Sequence, residues 1–360
     1  MRIVLSGYYG FGNAGDEAVL SAAAAELTRR LPEAELVALS GDPRATEDAH
    51  GVHAVRRWPP GALRRAIASA DLMLSGGGSL LQDVTSLRSL AYYLLTMELA
   101  RRARVPYAIL SQGLGPLQSW LGRRLVGHYL RAAEAVTVRD DQSADLARSL
   151  GVPEELITVG ADPAFLLEPV RAAEAGAILG KAGVETSRPQ TGIVVRQWHG
   201  ASQALPALAA IGRAAIEKWE TGIVLLPFQV PEDLEITHEL ASLLPESAIV
   251  ARPLHPRALM AVIGQLEMLV AMRLHALVFA AAQAVPALGV AYDPKVVALC
   301  RAAGQAWAPL EERQRLAELA EKTWRSRESR AGVRRRRAAE LRKRAARSFD
   351  VIERLCREPS

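Results

Sequence analysis

Arg2-Ile3-Val4-Leu5-Ser6, then Gly7-Tyr8-Tyr9-Gly10-Phe11-Gly12-Asn13-Ala14-Gly15, then Asp16 through Leu31 is the stretch that decides the fold. The apolar start reads as a buried strand, the Gly-rich segment as a loop, and the Ala/Leu-rich continuation as the helix behind it. The same unit recurs along the chain. Strands are expected at Glu35 to Leu39, Leu72 to Ser75, Tyr107 to Ser111 and Ala135 to Arg139, with helices at Pro60 to Ala70, Leu87 to Arg102 and Asp141 to Leu150. A second series follows Pro169: strands at Thr191 to Arg196, Thr221 to Pro227, Met268 to Ala271 and Val285 to Val290, with helices at Leu205 to Trp219, Asp233 to Leu244 and Leu274 to Ala284. Short strands alternating with longer helices specify parallel sheets with right-handed crossovers.

The expected class is therefore α/β: two doubly wound Rossmann-like domains facing a cleft, followed by a basic helical tail. The domains are placed at residues 1–168 and 169–310 and the tail at 311–360, with Glu168 to Gln190 as the join. In doubly wound sheets ligands bind beyond the carboxyl ends of the strands, so chemistry is expected there.

Composition narrows the class further. The chain has 360 residues, enough for two domains of about 150 each, and with 50% hydrophobic and 23% charged residues its bulk is not disordered. Cys300 and Cys356 form no CxxC pair, which argues against a disulfide framework or structural zinc and for a reducing compartment. The apolar run Leu274 to Leu288 is broken by His275 and Gln283, too short to cross a bilayer. No signal-peptide pattern opens the chain, so a cytoplasmic protein is expected, which the basic tail would let sit peripherally at the inner face of the cell membrane.

The net charge of +5 points to anionic partners. Most of the excess sits in Arg325, Arg327, Arg330, Arg334 to Arg337, Arg342, Lys343, Arg344 and Arg347, opposed only by Glu328 and Glu340. This tail reads either as a contact for an anionic membrane surface or as a solvated helix packed back on the protein; nucleic acid is not expected.

Candidate site residues cluster at strand ends. The glycines at 7, 10, 12 and 15 fit neither GxGxxG nor the P-loop, yet they allow close approach of a ligand; Asn13 and Asp16 stand among them, and Asp16 reads equally well as a helix cap. Gly76-Gly77-Gly78-Ser79 and Ser111-Gln112-Gly113-Leu114-Gly115-Pro116 repeat the design. Arg139, Arg196, Arg273 and Lys295 place cations at or after strand ends, where they are costly unless an anion meets them. A phosphate or carboxylate substrate would do so; so would structural partners such as Asp140, Asp162 or Asp293. His275, two residues after Arg273 at an expected helix start, reads as a candidate proton donor or as a buried histidine. His50, His53, His128, His199, His238 and His255 show no metal spacing, and no GxSxG elbow is present, so no metal and no hydrolase triad are expected.

Taken together, Gly7 to Glu17, Gly76 to Gly78, Ser111 to Pro116, Val138-Arg139-Asp140, Ala161-Asp162-Pro163 and Met272 to Leu277 resemble the polysaccharide pyruvyl transferases, within them the CsaB type. The resemblance spans nearly all of residues 1 to 300. It implies a GT-B-like fold, phosphoenolpyruvate as donor substrate with no further cofactor, and a sugar acceptor that receives pyruvate as a ketal. For the CsaB type it implies N-acetylmannosamine (ManNAc) of a lipid-linked precursor of a secondary cell-wall polymer, whose pyruvylation anchors surface-layer proteins. Arg139, His275 and Lys295 fall where the family holds phosphoenolpyruvate, and Arg273 travels with His275. With Arg196 these cations suit the donor's phosphate and carboxylate, while Asn13, Asp16 and Gly76, Gly77 and Gly78 are expected to face the sugar. A nucleotide-sugar glycosyltransferase of GT-B type is the alternative that the same features allow.

Overall fold

A computed structural model describes residues 1–84, 87–198 and 200–358. His199 and the last two residues of the 311–360 segment lie outside the described residues. The chain divides into two compact units: residues 1–11, 16–167 and 342–360 form the first, and 12–15 with 168–341 form the second.

The first unit is built on a parallel sheet of β1 (Arg2–Tyr9), β2 (Glu35–Ser40), β3 (His53–Arg56), β4 (Leu72–Gly76), β5 (Tyr107–Gln112), β6 (Val136–Val138) and β7 (Ile157–Val159), in the order β3-β2-β1-β4-β5-β6-β7. Its crossovers are α1 (Ala14–Arg30), α2 (Pro43–His50), α3 (Pro60–Ala68), α4 (Leu87–Ala103), α5 (Trp120–Arg131) and α6 (Asp141–Ser149). Strands covered by helices on both faces must be apolar throughout, and Ile3, Val4 and Leu5 of β1 and Ile109 and Leu110 of β5 are buried accordingly. The order reverses between β1 and β4, which puts the Gly7 and Gly76 loops side by side at the switch point.

β1 runs three residues further than the sequence predicts. Gly7 permits this, because a Cβ there would meet the ring of Tyr9 at 2.2 Å. The strand–helix alternation also missed α2, β3, α5 and β7. β3 is a short edge strand, half-exposed along its length, so no alternation of burial marks it. The signals of α2 are stronger: Asp42 caps Ala45 N, Pro43 opens the first turn, and Gly51 closes it in the left-handed region.

The second unit carries β8 (Gln190–Val194), β9 (Gly222–Leu225), β10 (Ala248–Ile249), β11 (Met268–Ala271), β12 (Ala287–Ala291) and β13 (Ala306–Pro309), all parallel, in the order β10-β9-β8-β11-β12-β13. Its helices are α7 (Ala172–Lys181), α8 (Leu205–Lys218), α9 (Leu234–Ser242), α10 (Pro256–Ile263), α11 (Leu274–Ala282), α12 (Pro294–Ala303), α13 (Arg313–Arg325) and α14 (Ala331–Arg357), whose part from residue 342 belongs to the first unit.

Residues 311 to 358 are thus divided between the units. In the second, Leu316 and Ala320 of α13 are buried, Trp324 stacks on Trp219 at 5.2 Å, and Arg334 Nε donates to Ala284 O at 2.8 Å. In the first, Ala345, Phe349 and Ile352 bury one stripe of α14, Arg344 Nε donates to Gly160 O, and Arg30 Nη1 meets Asp350 and Glu353 at 2.6 and 3.0 Å. Much of the arginine-rich run is therefore engaged by the protein's own carbonyls and carboxylates. No helix among the described residues is long and apolar enough to cross a membrane.

Candidate active site

In the first unit the loops after β1, β4, β5 and β6 meet at the carboxyl end of the sheet. Glu17, in the first turns of α1, accepts a hydrogen bond from Gly10 N at 2.8 Å with one carboxylate oxygen and contacts His50 Nε2 at 2.8 Å with the other. This bridge fixes Gly10, whose φ of +75° and whose Cα, too close to Ser40 Oγ for any Cβ, both require glycine. Tyr9, wholly within the core, donates to Gly76 O at 3.0 Å; burial and then the nearby Asp16 carboxylate push its phenol well above the ordinary range. Neither Glu17 nor His50 was read from the sequence, and the Asp16-Glu17 pair opening a helix was the available signal.

The triple glycine has a reason inside the protein. A Cβ on Gly77 would meet Val19 of α1 at 2.4 Å, and one on Gly78 would meet Asp16 Oδ1 at 2.7 Å. Close packing of α1 against the loop thus accounts for both, and it sets the Asp16 carboxylate over Gly78. The Gly113 N–H bonds Gly78 O at 2.9 Å and the Gly115 N–H bonds Leu81 O at 2.9 Å, so the two Gly-rich loops brace one another.

Arg139 follows β6 directly, and its side chain is only 7% exposed. Its Nη2 donates to Ser79 Oγ at 3.0 Å, its Nε to Asp140 Oδ2 at 3.3 Å, and its Nη1 stands 3.8 Å from Asp162 Oδ2. The guanidinium lies against Gly113, where a Cβ would fall 2.6 Å from its central carbon. Two of the three carboxylates weighed as structural partners, Asp140 and Asp162, therefore stand beside it.

In the second unit, residues 12–15 are stitched to the loop after β9: Ala14 N donates to Phe228 O at 2.9 Å and Asn13 pairs with Gln229 across a β-bridge. Asn13 Oδ1 also accepts from Gly15 N at 3.0 Å, a local turn bond. Gly15 stands directly against His275, with a would-be Cβ 2.1 Å from Nδ1. His275 occupies the first turn of α11, whose N-cap is Arg273.

Asp233, fully buried, organises this end of the sheet. Its carboxylate accepts from Arg273 Nε at 2.9 Å and Nη2 at 2.5 Å, from Gln197 N at 3.0 Å and from Gln229 N at 3.1 Å. The Arg273 fork is thus held by a carboxylate, which the sequence reading did not identify as its partner. Arg196 differs. Its Nη1 donates to Tyr292 Oη, its guanidinium lies 5.3 Å from the Tyr292 ring, and its Nε is buried with no hydrogen-bond partner among the described residues. Trp198 stacks on the same tyrosine at 5.5 Å. Lys295 Nζ sits 3.1 Å from Asp293, which caps α12. Arg196 follows β8 by two residues rather than ending it. The arrangement supplies a cation short of one partner, a lysine at a helix start and an imidazole against a backbone with no side chain.

A family model described as polysaccharide pyruvyl transferase matches residues 13–294. Among curated proteins no sequence matches the chain. Solved structures do match in fold. The S. aureus MnaA–UDP co-structure is 12% identical, with a TM-score of 0.69 over 99% of this chain and 96% of that one. HepE from Anabaena in complex with UDP and glucose is 13% identical, with a TM-score of 0.65 over 98% of each chain. UDP-GlcNAc 2-epimerase from Neisseria meningitidis bound to UDP-GlcNAc is 12% identical, with a TM-score of 0.66 over 99% of this chain and all of that one. At such identities the likeness is one of fold: two parallel-sheet α/β domains of the GT-B type.

Proposed function

Because the chain belongs to the polysaccharide pyruvyl transferase family, we propose that it moves the pyruvyl group of phosphoenolpyruvate onto a sugar as a cyclic ketal. The acceptor is ManNAc in a lipid-linked precursor of a secondary cell-wall polymer, as in the CsaB type, and the enzyme works at the cytoplasmic face of the membrane. The observation that carries this reading is the span of the family match, which runs from Asn13 to Pro294 and takes in Arg139, Arg196, Arg273 and His275; Lys295 stands one residue beyond it.

In the reaction the donor's methylene carbon takes a proton and one sugar hydroxyl oxygen bonds its central carbon. The bond from that carbon to the phosphate oxygen breaks, and a second hydroxyl closes the ring. Two hydroxyl protons leave the sugar, one balancing the new methyl group and the other the released phosphate. His275 is assigned to the proton on the methylene carbon. Arg196 and Lys295 are assigned to the donor's carboxylate and phosphate, and to the charge that grows on departing phosphate. Arg273 adds positive charge while Asp233 holds it in place. Arg139, framed by two carboxylates, is assigned to the donor on the family pattern, and Asn13, Asp16 and Gly76 to Gly78 to the acceptor.

Calorimetric titration tests the donor. Phosphoenolpyruvate is expected to bind, and Arg196→Ala to weaken it by about 10- to 100-fold, since a hydrogen bond to a charged group contributes roughly 1.5–3 kcal/mol. The UDP complexes of the fold neighbours support a second reading, a nucleotide-sugar glycosyltransferase. Binding of UDP-sugars but not phosphoenolpyruvate would favour it.

A further inference from the structure

The segments 57–65, 84–95 and 117–131 of the first unit contain seven arginines (Arg57, Arg64, Arg65, Arg88, Arg123, Arg124 and Arg131) and neither Asp nor Glu. They also hold most of the chain's misplaced apolar surface. Of eleven large apolar side chains exposed among the described residues, seven lie here: Trp58, Val84, Leu87, Leu95, Trp120, Leu121 and Leu125. Scattered exposed apolar residues are ordinary; their concentration on one arginine-rich face is not, and the two carboxylates bordering it are taken up within the protein, Asp83 by Ser119 and Glu98 by Arg101, Arg102 and Tyr129.

α5 shows the pattern most clearly. Its buried side is Gly122, Val126, Gly127 and Leu130, so Trp120, 72% exposed, with Leu121 and Leu125 stands on the outer side among Arg124, His128 and Arg131. A helix that packs on one side and presents Trp, Leu and Arg on the other has the composition of an interfacial helix. α4 packs against both α3 and α5 and adds Leu87 and Leu95 four-residue steps apart, with Arg88 beside them. The Asp83 carboxylate accepts from Gln118 N, Ser119 N and Ser119 Oγ, and Ser119 caps α5, so Val84 and Trp120 flank one set of anchors.

We infer that this α3–α4–α5 face docks on an anionic lipid bilayer, with Trp120, Leu121 and Leu87 at the acyl boundary and the arginines among the headgroups. Charge complementarity selects that occupant. A second copy meeting this face symmetrically would set seven arginines against seven, and a soluble polyanion would leave the tryptophans and leucines in water. The helix starts of this face follow β3, β4 and β5, at the same end of the sheet as Asp16, Gly76 to Gly78 and Arg139. Docking there would bring the acceptor-side loops to headgroup level, an advantage that rests on the lipid-linked acceptor proposed above.

The test is co-sedimentation of the full chain with vesicles of phosphatidylglycerol and phosphatidylcholine, and with phosphatidylcholine alone, at low and high salt. The expected result is binding to the anionic vesicles that weakens with salt and falls at least tenfold in the double variant Trp120→Glu/Leu121→Glu and in Arg124→Glu. Arg335→Glu/Arg336→Glu on the exposed side of α14 should bind as the wild type does. Each variant should melt normally and transfer pyruvate to a water-soluble acceptor at the wild-type rate. Undiminished vesicle binding by the α5 variants, loss of binding only in the α14 variant, or a wild-type dimer in sedimentation velocity that Trp120→Glu/Leu121→Glu dissociates, would each overturn the proposal. Absence of transfer to the soluble acceptor, with salt-sensitive vesicle binding intact, would instead count against the catalytic reading and leave the docking surface standing.

Discussion

Gly15 and His275 are pressed together so closely that a single methyl group on Gly15 would fall 2.1 Å from the imidazole Nδ1. Gly15→Ala should therefore displace the ring and cost most of the activity with little loss of melting temperature. His275→Ala should abolish transfer and also melt normally; loss of fold in His275→Ala would make the residue part of the packing instead. The two arginines with contrasting surroundings should separate in the same way. Arg196→Ala, where no carboxylate among the described residues is paired, should raise the KM for phosphoenolpyruvate at unchanged stability. Arg139→Ala, which removes the cation beside Asp140 and Asp162, should lower the melting temperature as well, and Arg139→Lys should restore stability poorly because one ammonium cannot serve three partners. Removing Asp233 takes the carboxylate from the buried Arg273 guanidinium and leaves it only the neutral Gln229 Oε1, so Asp233→Ala is expected to cost about 3–5 kcal/mol in denaturant unfolding. The candidate cations were legible because charges at strand ends are conspicuous. Asp233 and the Glu17–His50 bridge were not, since nothing in a one-dimensional reading says which carboxylate meets which base across three loops.

Among the elements, those with an apolar strand and a long helix were legible nearly to the residue: Met268 to Ala271 is β11 as expected, and Leu87 to Arg102 differs from α4 by one residue. α5 was not read, although Leu121, Leu125, Val126, Tyr129 and Leu130 recur at helical spacing and Ser119 caps it, so the signal for it was present in the sequence. Its exposed Trp120 and Leu121 are the residues on which the proposed docking face centres. α14 was read as a charge run, and its buried stripe of Ala345, Phe349 and Ile352 is spaced through arginines that hide it. Its attachment to α1 runs through Arg30, which joins Glu26 to Asp350 and Glu353. Burial alone would raise the Glu26 carboxyl, but hydrogen bonds from Arg29 and Arg30 outweigh it and hold the group below its ordinary value. A depressed carboxyl stabilises the fold above its unfolded-state value, and that contribution is lost as pH falls through the folded-state value. Hydrogen exchange along α14 should accelerate as pH drops below roughly 4, after correction for intrinsic exchange. Arg30→Leu should show faster exchange already at neutral pH and a smaller further change on acidification. Equal pH sensitivity in both proteins would detach Glu26 from the docking of α14.

For the molecule as a whole, the alternation of short apolar strands with helices announced two parallel sheets, and the strand orders place a switch point in each. Fold alone does not choose the chemistry, because the matching structures include a UDP-GlcNAc 2-epimerase and complexes with UDP. The choice rests on the family match and on which side chains stand at the strand ends. It can be tested by incubating the full chain with phosphoenolpyruvate and a synthetic ManNAc-containing diphospholipid analogue, following phosphate release and the mass of the acceptor together. One phosphate should be released for each pyruvyl group gained, with two acceptor hydroxyls consumed and both signals absent in His275→Ala. An acceptor unchanged by phosphoenolpyruvate but extended by a sugar from a UDP donor would contradict it.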